Sequence, residues 1–462
     1  MEIIKETLRE AKKIEEMKNI LMVLLPVLIL TQCNFQKQGK EAQAESKLSD
    51  EELMTLVQEQ SFQYFWEGAE PASGLARERI HMDGNYPRND QNVVTSGGSG
   101  FGIMAILVGI EREFITPEQG LERFEKIVAW LEKADRFHGI YSHWLQGETG
   151  KVVPFGRDDD GGDIVESSFL FQGLLCVRQY YKDGSDREKE LAARIDKLWR
   201  EAEWNWYRGE NVENSLIWHW SPNYGWQKNH HIKGYNECLI TYVMAASSPT
   251  HPIPPEVYHE GWAQNGAIKE GTSKYGYDLS LNHDGSQEYG GPLFWAHYSY
   301  LGLDPRKLED RYANYWDHNV AHVMIDYEYC VENPGGYPNY GPDCWGLTAS
   351  YTVRGYTAHK PGNDPGVISP TAALSSIPYA PKESLAAMRY FYEVLGDSIV
   401  GLYGPYDAFS VKENWYPTRY LAIDQGPIPV MIENYRTGLL WDLFMSCPEV
   451  KTGLSNLGFT KP

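Results

Sequence analysis

The apolar residues of this chain repeat at helical spacing in two alternating patterns, and this alternation most restricts its fold. In one pattern a single face is apolar, as over 116–134, where that face carries Phe124, Ile127, Val128 and Leu131. In the other pattern nearly every position is apolar, as over 234–246. A helix that is apolar all round must be buried, whereas an amphipathic helix covers a core from outside. About a dozen such helices predict an all-α fold of two concentric helical rings, the (α/α)6 barrel, with buried helices inside.

The periodic segments give the expected helix positions. Helices are predicted over 49–66, 100–113, 116–134, from Asp163 onward, 186–207, 234–246, 293–303, 308–332, 382–395 and 428–447, with shorter ones near 255–262 and 344–350. The glycine-rich stretch 96–102 is expected to precede a helix and to allow close helix packing, because no lysine follows it as in a phosphate-binding loop. Connections such as 205–233 and 270–290 have a length typical of functional loops.

The first 48 residues predict an export segment and a tether. Residues 1–16 are charged and could be an extension ahead of a natural start at Met17. The apolar run within 19–32 is too short for a membrane span and is typical of a signal peptide. Leu30-Thr31-Gln32-Cys33 resembles a bacterial lipoprotein box, so 1–33 is interpreted as a signal with lipidation at Cys33; plain secretion is the alternative. Residues 34–48 are a polar, flexible tether, and 49–462 form a single domain.

Charge and cysteine content exclude several classes of protein. The net charge of −21 argues against a nucleic-acid partner, because a phosphate-binding face needs clustered Lys and Arg. Five cysteines follow Cys33, widely spaced and without a C-x-x-C pair, which argues against a disulfide framework or zinc knuckle and leaves one bridge open. Cys176, Cys238 and Cys447 are expected in the core. We expect no cofactor and no metal, a monomer, membrane contact only through the lipid anchor, and a periplasmic or outer-membrane location.

An acidic loop before a predicted helix is the first candidate site. Its carboxylates are crowded around two glycines: Asp158, Asp159, Asp160 and Asp163. Asp163 directly precedes the helical pattern, where free backbone N–H groups favour a carboxylate as N-cap. Crowded carboxylates raise one another's pKa, which can keep one acid protonated beside an ionised one. The loop is therefore either catalytic or an ordinary helix cap; a calcium loop is the third possibility, although the glycine spacing does not fit an EF-hand.

Glu237 is the second candidate, as the only acid in the predicted apolar helix over 234–246. A carboxyl group in such surroundings should have a raised pKa and could serve as a general acid. The alternative is a structural glutamate bonded to a backbone amide or an arginine. His230 and His231 are adjacent rather than at metal-ligand spacing, so a zinc site is not expected here.

The chain is rich in aromatic residues, with 15 Trp and 31 Tyr, and many lie in predicted loops. Aromatic faces stack on sugar rings while polar neighbours bond the hydroxyls, which favours a neutral, polyhydroxylated ligand; burial in the core is the alternative for about half of them. Asp424 and Glu433 could also contact the substrate. Asp424 could equally be a helix cap, and Glu433 could be an ion-pair partner of Arg436. The candidate substrate-binding residues are Arg157, Asp160, Glu166, Trp220, Trp226, Gln287, Glu288, Tyr289, Trp345, Tyr406, Asp424 and Gln425.

Several segments together resemble the bacterial glucoamylase-like domain family. They are 64–79, 156–175, 234–251, 284–299 and 423–439, and they span most of residues 50–447. The resemblance implies an (α/α)6 barrel. It also implies kinship with glycoside hydrolase family 144, whose members hydrolyse β-1,2-glucan with inversion, either in endo fashion or by releasing sophorose. The acids important in that family are similar to Asp159, Asp163 and Glu237.

Three functional hypotheses follow. The first is an inverting glycoside hydrolase on β-linked glucan, most plausibly β-1,2-linked, with Glu237 as general acid and Asp163 or Asp159 activating water; a glucoamylase- or β-glucosidase-type hydrolase of another linkage is its variant. The second is a sugar-binding lipoprotein without catalysis, which would have no use for opposed carboxyl groups. The third is a polysaccharide lyase, which the acidic composition disfavours because a lyase needs a basic cleft for uronates.

Overall fold

The computed structural model describes residues 48–209, 214–284 and 288–460, and those from Asp50 onward pack into one compact unit. The predicted signal segment, the lipidation site Cys33, all of the tether except residue 48, and Gln287 lie outside these ranges. None of the helices within them is long and apolar enough to cross a bilayer. The five described cysteines are buried and form no disulfide.

The α-helices of the described residues are numbered here in chain order. They are α1 (Asp50–Trp66), α2 (Ser96–Glu111), α3 (Pro117–Leu131), α4 (Ile164–Tyr181), α5 (Asp186–Arg200), α6 (Leu239–Ser247), α7 (Pro255–Val257), α8 (Tyr315–Glu332), α9 (Pro370–Leu374), α10 (Pro381–Arg389), α11 (Gly396–Ile399), α12 (Ala422–Gln425), α13 (Pro427–Arg436), α14 (Leu439–Met445) and α15 (Pro448–Asn456). Shorter 3-10 turns cover Trp204–Arg208, Gln264–Lys269, Leu293–Ala296, Tyr298–Leu301 and Pro305–Lys307, and π turns cover Tyr258–Trp262 and Tyr390–Val394.

The helices form the two predicted layers. Helices α2, α4, α6 and α9 and most of α13 are buried on all sides. Packing runs from α2 to α4, from α4 to α6, from α6 to the Tyr298–Leu301 turn, then to α13 and back to α2. Amphipathic helices cover this ring: α1 lies on α2, α5 on α4, and α15 on α6. The predicted all-α, two-ring architecture is confirmed.

Short antiparallel strands in the connections complete the fold. Over the described ranges they form one three-stranded sheet, Val93–Thr95 with Trp144–Gln146 and Val152–Val153, and six strand pairs. The pairs are Arg79–His81 with Arg419–Leu421, Arg136–Phe137 with Ile140–Tyr141, Gly162–Asp163 with His219–Trp220, Thr272–Lys274 with Tyr277–Leu279, Ala349–Thr352 with Gly355–Ala358, and Val400–Gly401 with Gly404–Pro405. Four of these pairs are local hairpins, whereas the pairs formed by Arg79–His81 and by Gly162–Asp163 join segments that are distant in sequence.

The glycine-rich stretch at 96–102 belongs to α2 rather than preceding it, so the predicted start of that helix was wrong. The expected close packing is confirmed: a Cβ on Gly100 would lie 2.1 Å from the carbonyl oxygen of Phe169 in α4. The missing side chains let the two buried helices approach until their backbones touch. The low helix propensity of glycine is thus outweighed by packing.

Helix starts predicted from apolar spacing alone were also displaced. The helix predicted over 234–246 begins only at Leu239, so Glu237 lies in the preceding turn and not within the helix. The helix predicted over 308–332 begins at Tyr315, because the side chain of Asn314 accepts from the amides of residues 316 and 317 as its N-cap.

Several long predicted helices are broken. The segment over 428–447 divides into α13 and α14 at Gly438, whose φ of 78° is outside the helical range. The segments over 293–303, 186–207 and 382–395 end in or consist of 3-10 and π turns. The predicted short helix over 344–350 is absent; its end forms the strand Ala349–Thr352.

Candidate active site

Asp163 is fixed by both local and tertiary structure. Its Oδ1 atom accepts hydrogen bonds from the amides of Val165 and Glu166, each at 3.0 Å, which makes it the predicted N-cap of α4. The strand Gly162–Asp163 pairs with His219–Trp220, and the register sets Asp163 opposite His219. This pairing brings an imidazole from a loop some 55 residues away to the cap of an inner helix.

A cluster of unlike charges surrounds this cap. The Oδ2 atom of Asp163 lies 3.3 Å from Nδ1 of His143 and 3.4 Å from Nε2 of His219. The Oδ2 atom of Asp159 lies 3.2 Å from the same Nε2 of His219 and accepts from Nζ of Lys228 at 2.9 Å. Two buried carboxylates and three basic groups thus form one network.

The network keeps both aspartates ionised. Burial alone would raise the pKa of Asp163 and Asp159, but the neighbouring imidazoles, and Lys228 in the case of Asp159, lower both pKa values below the usual range. Burial would correspondingly lower the pKa of His143, yet the charges of Glu166 and Asp163 raise that pKa to about 10. The pKa of His219 is raised by the same two aspartates against the effect of burial.

Glu166 lies on the first turn of α4 beside this network. Its Oε2 atom accepts from the amide of Gly97 at 3.0 Å, and a Cβ on Gly97 would come within 2.2 Å of that atom. Glycine is therefore required at 97 for the carboxyl group to reach the start of α2. Burial, together with the charge of Asp163, raises the pKa of Glu166 to about 7.

Glu237 lines an adjoining cleft of about 280 Å³ and is itself half-buried. Burial raises its pKa to about 8, and the charges of Glu166, Asp284 and Asp163 act in the same direction. At neutral pH this carboxyl group is mostly protonated. The other residues lining the cleft are Trp218, His230, Asn236, Asp284, Pro292, Phe294, Trp295, Ala358 and Lys360.

The acids gather at the end of the inner ring where its helices begin. Gly97, Asp163 and Glu237 mark the starts of α2, α4 and α6, whose free amides and dipoles favour carboxylates. The opposite end of α2 carries a structural ion pair instead, with Nε of Arg112 at 2.7 Å from Glu433 of α13. The protonated Glu237 on the cleft therefore lies near the ionised network of Asp159 and Asp163, since the charge of Asp163 acts on its pKa. A protonated acid near ionised carboxylates is the combination that general acid–base catalysis requires.

Three of these residues also have metal-ligand geometry. Ligand atoms of His143, Asp159 and Asp163 all lie within 4.8 Å of one another. The carboxylates already face His219 and Lys228, so a cation would meet basic groups that balance the same negative charge. The geometry fits an ion-paired network better than a metal centre.

Comparison with known proteins places the chain in a family. A family model described as "Putative glucoamylase" matches residues 229–448. The solved endo-β-1,2-glucanase of Chitinophaga pinensis, in complex with sophorotriose and glucose, is 65% identical, covers 90% of this chain and 99% of its own, and superposes with a TM-score of 0.89. The chain belongs to the glucoamylase-like family. The family predicted from the sequence is thereby confirmed.

Two further relatives resemble the glucoamylase-like chain to different degrees. The exo β-1,2-glucooligosaccharide sophorohydrolase (non-reducing end) of Parabacteroides distasonis is 47% identical over 430 residues, which is 89% of this chain and 58% of that protein. The chain thus spans somewhat more than half of this curated relative. The endo-β-1,2-glucanase of Talaromyces funiculosus, in complex with sophorose, is 10% identical, with a TM-score of 0.63 over 85% of this chain and 87% of its own, and shows the shared fold alone.

In this glucoamylase-like domain the structure joins the predicted catalytic acids Asp159 and Asp163 through His219, and it places Glu237 close enough for the charge of Asp163 to act on its pKa. Asp160 lies beside them, but Ser221 donates to its Oδ1 at 2.5 Å and Asn223 to its Oδ2 at 2.6 Å, so both oxygens hold the loop. Arg157 is exposed and lies over the ring of Tyr224 at 5.0 Å. Glu166 lies next to Asp163 and forms, with Asp159 and Asp163, the acid cluster of this site.

Other predicted binding residues lie elsewhere. Trp345 is fully buried and donates to the carbonyl of Glu383, so its predicted role at a sugar surface was wrong. Glu288 forms an ion pair with Lys274 at 2.7 Å, and Tyr289 packs against the small cluster around Leu279.

The remaining predicted binding residues are partly or wholly buried. Trp220 and Trp226 are half-buried in an aromatic cluster around Trp206, and Tyr406 packs on Tyr420. Gln425 is buried and donates to the carbonyl of Pro405 at 2.6 Å. The ion pair expected between Glu433 and Arg436 is absent; Arg112 binds Glu433, and Arg436 binds Glu51.

Asp424 forms a buried carboxyl pair that the sequence did not reveal. Burial raises the pKa of Asp407 to about 6 and the pKa of Asp424 well above its usual value, and the charge of the neighbouring Asp407 raises the pKa of Asp424 further. The backbone amide of Tyr351 donates to Asp407 at 2.7 Å. One proton shared between the two carboxyl groups accounts for this arrangement.

The basic partners of the acid cluster were also missed. His143 comes from one loop and His219 and Lys228 from another, and their roles depend on strand pairings between distant segments. One signal was present in the sequence: a crowded set of aspartates on one short loop needs compensating cations in the folded protein.

Proposed function

We propose that the protein is an inverting glycoside hydrolase that cleaves β-1,2-glucan and sophoro-oligosaccharides. The observation that carries the proposal is the closeness of unlike acids: the pKa of Glu237 on the cleft is raised to about 8, while Asp159 and Asp163 in the adjoining network are held ionised. The relative from Chitinophaga pinensis, which covers nearly the same length of chain, is an endo-β-1,2-glucanase with sophorotriose and glucose in its structure, which supports the linkage.

Glu237 is the general acid in this proposal. Its protonated carboxyl group donates to the glycosidic oxygen as the bond to the anomeric carbon breaks. The apolar rings of Trp218, Phe294 and Trp295 around it keep the carboxyl group poorly solvated, which sustains the raised pKa. The same rings offer flat faces for glucose units, so binding and acid catalysis share one surface.

Asp159 is the better candidate for the base that activates water. Asp163 has no exposed surface, and its oxygens face two backbone amides and two imidazoles, which suits it to hold the histidines in place. Asp159 meets its basic partners through Oδ2 alone, which leaves Oδ1 for a water molecule. Glu166 is the competing base, because its pKa of about 7 lies in the effective range.

Point variants decide between these bases. Asp159→Asn and Glu166→Gln should be assayed side by side, with the neighbouring Asp158→Asn as the matched control. We expect Asp159→Asn to lower kcat about 100-fold or more and to be partly rescued by azide, which needs no base to attack. Rescue of Glu166→Gln instead would assign the base to Glu166.

One assay distinguishes the proposed hydrolase from two other functions. Purified signal-free protein is incubated with linear β-1,2-glucan, sophoro-oligosaccharides, laminarin and starch, and the products are separated by chromatography. We expect release from the β-1,2-linked substrates only; a ladder of oligomers indicates endo action, and sophorose alone indicates exo action. Glucose from starch would support a glucoamylase, and binding without release would support a sugar-binding lipoprotein.

The protein is further proposed to be an exported, monomeric lipoprotein anchored through Cys33. The support is the apolar run within 19–32, whose end overlaps the sequence Leu30-Thr31-Gln32-Cys33. Expression of the full chain with labelled palmitate should label the wild type and not Cys33→Ser. Label in neither, with protein in the culture medium, would indicate plain secretion, and light scattering of the signal-free protein tests the monomer.

A further inference from the structure

Three histidines lie behind the cleft, outside the acid cluster and without an assigned role. His283 and His318 approach with their Nε2 atoms 2.8 Å apart, and the ring of His322 packs edge-on against His283 at 4.5 Å. All three are buried. Each N–H group of buried imidazoles needs a hydrogen-bond acceptor, because an unpaired polar group is costly in such surroundings.

The backbone decides the tautomer of each ring. The amide of Gly291 donates to Nδ1 of His283 at 2.8 Å, so the proton of that imidazole is on Nε2 and points to Nε2 of His318. His318 then carries its proton on Nδ1, which faces Oγ of Ser280 at 3.3 Å. His322 donates from Nε2 to the carbonyl of Gly291 at 2.7 Å.

This chain of hydrogen bonds holds the segments that carry the cleft acids. Tyr235, two residues before Glu237, forms a parallel bridge with His283, one residue before Asp284. The amide of Asp284 donates to the carbonyl of Tyr235 at 3.1 Å, and the ring of Tyr235 stacks on His283 with centroids 4.6 Å apart.

A third cleft segment is held by the same rings. Gly291 is bound at its N–H by His283 and at its carbonyl by His322, and it directly precedes the cleft residues Pro292, Phe294 and Trp295. The histidines therefore connect three of the segments that line the cleft, which carry Glu237, Asp284 and Pro292.

From this placement we infer that His283 and His318 form a neutral imidazole relay that positions Glu237 and Asp284 for the reaction; the inference rests on the proposed hydrolase function. Only one hydrogen fits between two Nε2 atoms at 2.8 Å, so a second proton would break the contact. Burial lowers the pKa of His283 and the pKa of His318. Basic neighbours lower them further: His322, His318 and Lys360 act on His283, and His322 acts on His318. The relay is thus neutral at working pH and is lost on acidification.

Variants of His318 test the relay. His318→Leu removes the acceptor for His283, whereas His318→Gln retains an amide oxygen that can accept. His297→Leu is the matched control, because His297 is equally buried and bonds Ser376 at 2.9 Å. We expect His318→Leu to lower kcat on sophoro-oligosaccharides about 10- to 100-fold with KM changed less than about threefold, as a small misplacement of a catalytic group does. His318→Gln should recover most of this loss, and His297→Leu should retain kcat.

The outcomes separate the relay from the function. If the wild type releases no sugar, the proposed function fails; if the wild type is active and His318→Leu keeps its kcat, or falls no further than His297→Leu, the relay fails alone. Equal loss in His318→Gln and His318→Leu would also contradict it. Should His318→Leu not fold, Ser280→Ala serves instead, because it removes the exposed hydroxyl that faces the Nδ1 proton of His318. We expect this variant to have a severalfold lower kcat and a displaced alkaline limb of the pH profile. An unchanged pH profile would overturn the inference.

Discussion

Replacing Glu237 by glutamine removes the proposed acid while keeping the size of its side chain. The pKa of about 8 leaves about 90% of the carboxyl groups protonated at pH 7 and about 9% at pH 9, so wild-type activity should fall about tenfold between these values. A general acid contributes about 10²- to 10⁴-fold to rate, which is about 2.7–5.4 kcal/mol of activation free energy. We therefore expect Glu237→Gln to lose that factor in kcat and to lose the alkaline limb.

The assay is reducing-sugar release from purified sophoro-oligosaccharides between pH 5 and pH 10, with kcat and KM fitted at each pH. Glu70→Gln is a suitable control, because Glu70 is a buried glutamate bonded to the amides of Ala72 and Ser73 within its own turn. Activity of Glu237→Gln within threefold of wild type would refute the role of this acid. A limb near pH 8 that persists in the variant would show that another group titrates there.

Three further substitutions test Gly97, Lys228 and Arg112. Gly97→Ala should displace the Glu166 carboxyl group, lowering stability by about 1–3 kcal/mol in thermal or urea unfolding and also lowering kcat, whereas Gly341→Ala, which faces open space, should do neither. Lys228→Met should raise the pKa of Asp159 and move the acid limb of kcat/KM to higher pH, because the base then protonates sooner; an unmoved limb would exclude Asp159 as the base. Arg112→Met should leave Glu433 buried and unpaired and lower the free energy of unfolding by about 3–5 kcal/mol with unchanged kcat, whereas Arg194→Met at an exposed pair should cost less than about 1 kcal/mol.

The ring architecture could be predicted because it depends on local apolar spacing. Helices that are apolar all round, such as α4 and α6, are inner helices, and Asp163 was identified as a cap from its place before the pattern. Helix starts were harder to place, since a single side chain such as Asn314, or packing against a distant backbone at Gly100, decides them. Apolar spacing reveals neither the capping side chain nor the packing contact.

The acids of the site could be predicted from the sequence, but their environment could not. Residue type and crowding single out Asp159, Asp163 and Glu237. Their different protonation states depend on His143, His219 and Lys228, which reach the site only through pairings of distant loops. Aromatic content likewise indicates a sugar ligand without telling a core residue such as Trp345 from a cleft residue such as Trp218.

Inverting hydrolysis of a β-1,2 linkage by Glu237 and its neighbouring carboxylates can be tested by the anomer that is released first. Wild-type protein is mixed with sophoropentaose in an NMR tube, and the anomeric protons of the new reducing end are followed before mutarotation. We expect the α-anomer to appear first, because water attacks the face opposite the leaving group. First appearance of the β-anomer would contradict inversion, and the absence of any new reducing end would contradict the hydrolase itself.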